Sequence, residues 1–208
     1  MNKLMDGYGP TIDLIRHGEP QGGDRYRGRL DDPLSETGWT QMRAAVGPDE
    51  PWDQIITSPL KRCLYFAEAL AEQRELPLAI ELGLQELSFG SWEGRTAKEI
   101  LSSPDGPALT AFWRDPWSNP PPDGESLANF EKRVTTTLLR LIKAHKGQHL
   151  LIVGHGGILR LVTAWALGMP MNNLSRLVTP YACRIRIAMD QVDGQPLPRL
   201  IHHMPTGD

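Results

Sequence analysis

The stretch TIDLIRHGEP, residues 11–20, decides the fold, because a short apolar run stops abruptly at charged residues and a glycine. Residues 12–15 are typical of a buried strand. Arg16 and His17 follow directly, and Gly18 lets the chain turn sharply or a ligand approach closely. Two interpretations follow: a strand that simply meets a loop, or a catalytic histidine at a strand end with a cation beside it for an anionic substrate.

A second apolar run, HLLIVGHGG at 149–157, ends in a similar way. Its glycines fit a plain strand–turn–helix junction, since residues 157–168 have a helical pattern. In the functional interpretation, His155 and Gly156 lie at the N-terminus of that helix, where free N–H groups and the helix dipole favour an anion. Because two strands end in such a motif, we expect them to deliver one histidine each to the same edge of a sheet.

The remaining segments alternate between strand and helix patterns. Ser35 is predicted to cap the first helix, and Ser58, with Pro59 at the first helical position, is predicted to start the second. The predicted helices cover residues 35–46, 58–76, 96–101, 126–147 and 157–168, and the further strands cover 53–58, 78–90, 181–192 and 198–204. This alternation indicates a layered α/β fold with a largely parallel sheet, which places active sites at the carboxyl ends of its strands.

Composition and charge exclude several classes of function. The 208 residues suit one sizeable domain, and a net charge of −3 gives no general case for nucleic-acid binding. The cysteines, Cys63 and Cys183, lack CxxC spacing, which argues against a disulfide framework or a structural zinc site and fits a reducing cytosol. No run approaches the ~18 uncharged apolar residues of a membrane span, and the N-terminus shows no secretory signal. We therefore expect a cytoplasmic protein with no nucleic-acid or membrane partner.

Two further charged residues are candidates for the same site. Arg62 lies near the start of the second predicted helix, which places it on the rim with the histidines, although an arginine on a helix face is usually solvated. Glu86 stands among apolar residues such as Leu84 and Leu87, where a carboxyl group can hold a proton and act as a general acid. The alternative for Glu86 is an exposed position on an edge strand.

Arginines, histidines and a carboxyl group on separate segments together favour phosphoryl transfer. Two cations would hold the non-bridging oxygens, a neutral imidazole would attack phosphorus, and a carboxylic acid would protonate the leaving oxygen. The sequence contains neither a Walker A nor an HExxH motif, and no acidic cluster suited to Mg²⁺. We therefore expect chemistry without a metal ion or other cofactor.

Five segments, in this order, make the chain resemble the histidine phosphatase superfamily, also called phosphoglycerate-mutase-like. They are LIRHGEP, DDPLSETGWTQM, TSPLKRC, ELSFGSWEG and IVGHGG, and they span most of the chain. The resemblance implies that His17 becomes phosphorylated, and that Glu86 first protonates the leaving group and then activates water. It also implies a phosphate pocket formed by Arg16, Arg62 and His155.

The resemblance further implies a three-layer α/β/α sandwich with a mainly parallel central sheet and a small helical cap. Residues 1–208 are then expected to form a single domain, with a cap-like insertion at about 88–130.

Four residues are candidates for binding the substrate. Arg27 and Gly28 stand where many relatives have Gln-Gly beside the phosphate, so Arg27 would add a further cation. Gln21 stands where many relatives have an asparagine, and Gly156 belongs to the helix N-terminus described above.

The residues after Glu86 favour a phosphatase over a mutase. Mutases of the family place arginine and tyrosine there and carry longer insertions, whereas this short chain has Leu87, Ser88 and Phe89. A non-catalytic binding module is the least favoured alternative, because the whole catalytic set is present.

The segments RYRGRLDDPLSETGW, ELSFGSWEG and PPDGESLANFEKRV resemble the α-ribazole phosphatases of cobalamin biosynthesis. A benzimidazole riboside leaving group would stack on aromatic side chains, although such residues serve equally well as plain core. The candidates are Phe89, Trp92, Phe112, Trp113 and Trp117. Broad-specificity and sugar-phosphate phosphatases share much of this pattern and stay open as alternatives, as does a homodimer.

Overall fold

A six-stranded sheet with helices on both faces forms the centre of the molecule. The computed structural model describes residues 9–193 and 195–204. The strands are β1 (Thr11–Arg16), β2 (Gln54–Thr57), β3 (Leu78–Ile80), β4 (His149–Gly154), β5 (Arg184–Val192) and β6 (Gln195–Met204). The helices are α1 (Glu36–Ala45), α2 (Lys61–Arg74), α3 (Ala97–Leu101), α4 (Gly106–Arg114), α5 (Leu127–Ala144) and α6 (Gly156–Ala166). Short 3₁₀ helices cover Leu82–Leu84, Gly90–Trp92 and Met171–Arg176.

The strand order is β3-β2-β4-β1-β5-β6, and the first four strands in this order run parallel to one another. β5 and β6 complete the sheet as antiparallel strands. β1 and β4 are direct neighbours, with Arg16 paired to Gly154 at their last positions. The two strands that carry the histidine motifs therefore end side by side, and the predicted mainly parallel sheet is confirmed.

Alternate strand residues face two separate cores, because successive side chains of a strand point to opposite faces of the sheet. Ile12 and Leu14 pack with α5 and α6 on one face. Ile15 packs with α1 and α2 on the other face. The predicted three-layer α/β/α arrangement is confirmed.

The longest helix, α5, forms as its sequence pattern predicts. Its buried apolar residues recur every three or four positions on one face: Leu127, Phe130, Val134, Leu138, Leu141 and Ile142. Ser126 caps the helix by accepting the N–H of Asn129 at 3.2 Å. No helix in the described ranges combines the length and apolar character that crossing a bilayer requires.

The segment 88–130 carries α3 and α4 and has a small apolar core of its own, formed by Trp92, Ile100 and Leu109. No pattern in the sequence predicts α4, whose first turn contains a glycine and Pro107. A proline is compatible with the first turn, because its missing N–H has no partner inside the helix.

The start of α2 differs from the prediction. The helix begins at Lys61, and its N-cap residue, Leu60, provides no side-chain cap. The assignment of Ser58 as N-cap and of Pro59 as the first helical residue was therefore wrong. The hydroxyl of Ser58 instead lies 2.7 Å from Nε2 of His155.

The predicted strand at 78–90 was also too long, since β3 ends at Ile80. The chain continues through two 3₁₀ helices. Leu84 in the first and Leu87 in the segment between them enter the core without joining the sheet. The apolar residues there reflect burial rather than strand geometry.

Candidate active site

The paired ends of β1 and β4 bring His17 and His155 together. The backbone N–H of His17 donates to the carbonyl of Gly154 at 2.9 Å. The two imidazole rings then lie edge to face, with centroids 5.3 Å apart. The prediction that two distant motifs meet at one edge of the sheet therefore agrees with the geometry.

The imidazole of His17 is held by one contact at each nitrogen. Nδ1 lies 2.7 Å from the carbonyl oxygen of Gly18, which can only accept, so Nδ1 carries the proton. Nε2 accepts from Nε of Arg62 at 3.3 Å and therefore presents a lone pair. Burial, followed by the charges of Arg62 and Arg16, lowers the pKa of His17 well below 6.5. The ring is consequently neutral and able to act as a nucleophile.

Arg62 is almost completely buried at the second position of α2. Its terminal nitrogens donate to the carbonyls of Leu30 at 2.8 Å and Gly28 at 2.7 Å. Burial lowers the pKa of Arg62, but a guanidinium still carries its charge at neutral pH. The loop that follows β1 thus holds this cation against His17.

Arg16 is held from the segment that precedes β5. Its Nη1 donates to the carbonyl of Thr179 at 2.5 Å, and its guanidinium lies 4.1 Å above the ring of Tyr181. Burial lowers the pKa of Arg16. Sequence reasoning did not find either partner, because both are brought in by the antiparallel strand rather than by a local motif.

His155 lies beside His17 but is completely buried, and it is not among the residues that line the cavity. Besides its contact with Ser58, its Nε2 lies 3.7 Å from the sulfur of Cys63. Burial and the charge of Arg62 lower the pKa of His155 well below 6.5. Burial also raises the pKa of Cys63 to about 12, so this thiol stays protonated.

Glu86 reaches the same cavity from the loop after β3. One carboxylate oxygen accepts the N–H of Leu87 at 3.0 Å, and the other accepts the N–H of Gly157 at 3.1 Å. Gly157 is the second residue of α6, so the helix N-terminus that begins at the second histidine motif also fixes the carboxyl group.

The four predicted substrate-binding residues have different surroundings. Arg27 lines the cavity, but its guanidinium is paired with Asp32 at 3.1 Å and donates to the carbonyl of Gln21 at 2.6 Å. Gly28 and Gly156 also line the cavity. The side chain of Gln21 is exposed and donates to the carbonyl of Leu34 at 3.4 Å, so the structure does not bring it to the cavity.

The cavity has a volume of about 430 Å³. Besides the imidazole of His17, six aromatic side chains line it: Tyr26, Phe89, Phe112, Trp113, Phe130 and Tyr181. Nε1 of Trp113 donates to the hydroxyl of Tyr26 at 2.8 Å, which connects α4 to the loop after β1. Of the other two aromatic candidates, Trp92 is fully buried in the small core, and Trp117 does not line the cavity.

Arg25 and Arg160 also belong to the cavity wall, and sequence reasoning missed Arg160. Arg160 follows Gly157 by three residues on α6, so the helical period already places both on one face. Its Nε donates to the carbonyl of Leu177 at 2.9 Å. In the described part of the chain, no three His, Cys, Asp or Glu side chains come together as a metal site.

Comparison with known proteins finds similar sequences and folds. The model of the histidine phosphatase superfamily (branch 1) matches residues 12–197. An adenosylcobalamin/α-ribazole phosphatase of Salmonella typhimurium is 33% identical over 175 residues, which cover 82% of this chain and 86% of that protein. A glucosyl-3-phosphoglycerate phosphatase of Mycolicibacterium vanbaalenii is 31% identical over 172 residues, which cover 77% of this chain and 75% of the relative.

The fold is shared with a solved mycobacterial glucosyl-3-phosphoglycerate phosphatase in complex with VO3. The TM-score is 0.80 at 27% sequence identity, and the match covers 93% of this chain and 98% of the other.

Proposed function

Because the chain belongs to the histidine phosphatase superfamily (branch 1), we propose that it hydrolyses phosphomonoesters through a phosphorylated His17, without a metal ion. The observation that carries this proposal is the unprotonated Nε2 of His17, which faces Arg62 at the edge of the cavity. A buried neutral imidazole beside fixed cations is suited to attack a dianionic phosphoryl group.

In the first step, Arg16 and Arg62 bind the non-bridging oxygens and Nε2 of His17 attacks phosphorus. The bond between phosphorus and the leaving oxygen breaks as Glu86, in its protonated form, donates its proton to that oxygen. The products of this step are the free alcohol, a phosphohistidine and the Glu86 carboxylate.

In the second step, the Glu86 carboxylate removes a proton from a water molecule that attacks the phosphorus atom. The N–P bond breaks, the electron pair returns to Nε2 of His17, and phosphate is released. His155 is proposed to complete the phosphate pocket. Because His155 is completely buried beside His17, it would act from the inner side of the His17 ring.

The proposed substrate is α-ribazole 5′-phosphate. The aromatic residues of the cavity wall support this choice, because Tyr26, Phe112 and Trp113 line the cavity and aromatic rings suit a flat, weakly polar base. The Salmonella relative, named for this activity, is a second support. The two buried free thiols support a reducing compartment, so we also propose the cytoplasm as the location.

A second candidate is a sugar phosphate whose alcohol carries a carboxylate. Arg25 and Arg160 line the cavity, and neither has a carboxylate partner among the described residues. A guanidinium without a counterion suits an anionic leaving group.

The deciding experiment measures kcat/KM in EDTA for a panel of phosphomonoesters. The panel contains α-ribazole 5′-phosphate, glucosyl-3-phosphoglycerate, 3-phosphoglycerate and p-nitrophenyl phosphate. A preference for the first of these supports the proposed substrate, and a preference for the second supports the alternative. Conversion of 3-phosphoglycerate to its isomer would point to a mutase, and no turnover of any ester between acid and neutral pH would point to a binding module.

The nucleophile is tested by rapid quenching with ³²P-labelled substrate and mapping of the labelled peptide. We expect acid-labile label on the peptide that contains His17, and none in His17→Ala. Label on any other residue would exclude the proposed intermediate.

A further inference from the structure

Two buried polar side-chain atoms near the first turn of α6 lack hydrogen-bond partners. They are Nε of Arg16 and Oγ1 of Thr179; elsewhere in the described residues only Nε1 of Trp92 shares this condition. Thr179 is 4% exposed, so bulk water does not satisfy its hydroxyl. An unpaired buried hydroxyl costs free energy, which makes two such atoms in one place a feature that requires an explanation.

Both atoms surround the same glycine. A methyl group built on Gly156 would lie 3.2 Å from Oγ1 of Thr179 and 3.3 Å from Nε of Arg16. The two atoms do not bond to each other, although the backbone carbonyl of Thr179 already accepts from Nη1 of Arg16. The bare Cα of Gly156 therefore leaves a small polar hollow between them.

The hollow lies at the N-terminus of an eleven-residue helix. The N–H of Gly157 is used by Glu86, and no hydrogen bond is recorded for the N–H of Gly156 within the described ranges. Arg16 and Gly156 line the cavity, and Thr179 lies next to both of them without lining it itself. Three groups thus meet beside the cavity: the positive N-terminal end of α6, Nε–H of Arg16 and the hydroxyl of Thr179. Together they suit an anionic oxygen.

We propose that Thr179 is a phosphoryl-binding residue, whose hydroxyl donates to the same non-bridging oxygen that Nε of Arg16 binds. This inference rests on the proposed function, because the ligand is the phosphoryl group that His17 attacks. Binding of the oxygen satisfies both unpartnered atoms at once, and the held oxygen orients phosphorus towards Nε2 of His17. A structural water between the two atoms is the competing account.

The test is binding of orthovanadate, measured by calorimetry on the whole chain, to wild type, Thr179→Val and Thr179→Ser. Valine keeps the shape and removes the hydroxyl, whereas serine keeps the hydroxyl. We expect the Kd of vanadate to rise about tenfold in the valine variant, the scale of one hydrogen bond to a charged group, and to stay within about threefold of wild type in the serine variant.

Thr163→Val is the matched control, because Thr163 is a buried threonine of α6 whose hydroxyl is not among the unpartnered buried atoms. Its vanadate affinity is expected to equal that of wild type. Equal affinity of wild type and Thr179→Val overturns the phosphoryl-binding role and leaves the structural water. If wild type itself does not bind vanadate, the proposed phosphatase function fails, and the Thr179 proposal fails with it.

Discussion

The carbonyl of Gly18 gives the two nitrogens of His17 different tasks. It accepts from Nδ1 and so leaves Nε2 unprotonated beside Arg62. A single backbone turn after β1 therefore sets both the tautomer and the orientation of the ring. The glycine is required there, since a methyl group on Gly18 would lie 2.2 Å from the carbonyl oxygen of Gly38.

The role of Glu86 is tested by Glu86→Gln with two classes of ester. An amide cannot protonate the leaving oxygen, so alkyl phosphates should lose far more kcat than p-nitrophenyl phosphate, whose leaving group needs little protonation. Single-turnover kinetics with both substrates measure this difference. An equal loss for both classes would contradict the role as general acid.

Arg62→Ala is expected to lower kcat/KM by at least ~10²-fold, the scale for loss of one preorganised charge donor. Arg62→Lys restores a charge but not the planar fork that contacts Leu30, Gly28 and His17, so only partial recovery is expected. Arg43→Ala, on the outer helix α1, is the matched control. Activity of Arg62→Ala within error of wild type would place this arginine outside the mechanism.

The motif at residues 153–157 forms the N-terminus of α6, which contributes to the site in two ways. It follows His155 directly, and its second N–H holds the carboxylate of Glu86. The element therefore places the Glu86 carboxylate near His155, although the two residues come from distant parts of the chain.

Gly157→Ala tests this element. A methyl group at Gly157 would lie 2.3 Å from Oε1 of Glu86, so the carboxyl group must move. We expect turnover of alkyl phosphates to fall about 10²-fold, as for a misplacement of about 1 Å, with a smaller loss for p-nitrophenyl phosphate.

The control is Gly47→Ala, where the added methyl group would lie 3.7 Å from the nearest atom, in a loop outside the site. Its activity should match that of wild type. Undiminished turnover of alkyl phosphates by Gly157→Ala would show that the N–H of Gly157 does not position Glu86.

A serine that precedes a helix pattern predicts the start of the helix correctly where its hydroxyl bonds to that same helix. Ser35 accepts the N–H of Gly38 at 3.0 Å and starts α1, as predicted. Ser58 carries the same kind of signal before α2, but its hydroxyl contacts His155, 97 residues away. A capping pattern therefore cannot reveal that a distant imidazole competes for the same hydroxyl.

At the scale of the whole molecule, a buried network of charged groups around Asp13, in the middle of β1, connects distant segments. Its carboxylate accepts from Arg186 at 2.7 and 2.8 Å and from Nε1 of Trp52 at 2.7 Å. These contacts outweigh the cost of burial and hold the pKa of Asp13 far below its usual 3.8. The network connects β1 to the antiparallel strand β5. The segment just before β5 contains Thr179 and Tyr181, which contact Arg16.

Acid should therefore destabilise the fold in two ranges. Below pH 6.5 the unfolded chain protonates His17 and His155 while the folded chain does not, so the free energy of unfolding falls as the pH falls. Below about pH 4 the unfolded chain also protonates Asp13, and a further loss follows. Urea unfolding from pH 8 to pH 3 measures both losses.

Asp13→Asn should reduce the second loss and lower the free energy of unfolding at pH 7 by about 3 kcal/mol, because Arg186 then loses its buried carboxylate and keeps only Glu50. Leu139→Ala, on the exposed side of α5, is the control and should keep both losses. A free energy of unfolding that stays constant between pH 8 and pH 5 would contradict the neutral, buried state of the two histidines.

The sequence by itself predicted the layered α/β fold and placed His17, Arg62 and His155 at one edge of the sheet, because the ends of apolar strands are visible in short local patterns. Only the tertiary structure decided which of these side chains face the cavity. It paired Arg27 with Asp32, buried His155 behind His17 and brought Thr179 and Tyr181 to Arg16. The physical reason is that the partner of a buried polar group is chosen among all segments that pack around it, and such long-range competition leaves no periodic trace along the chain.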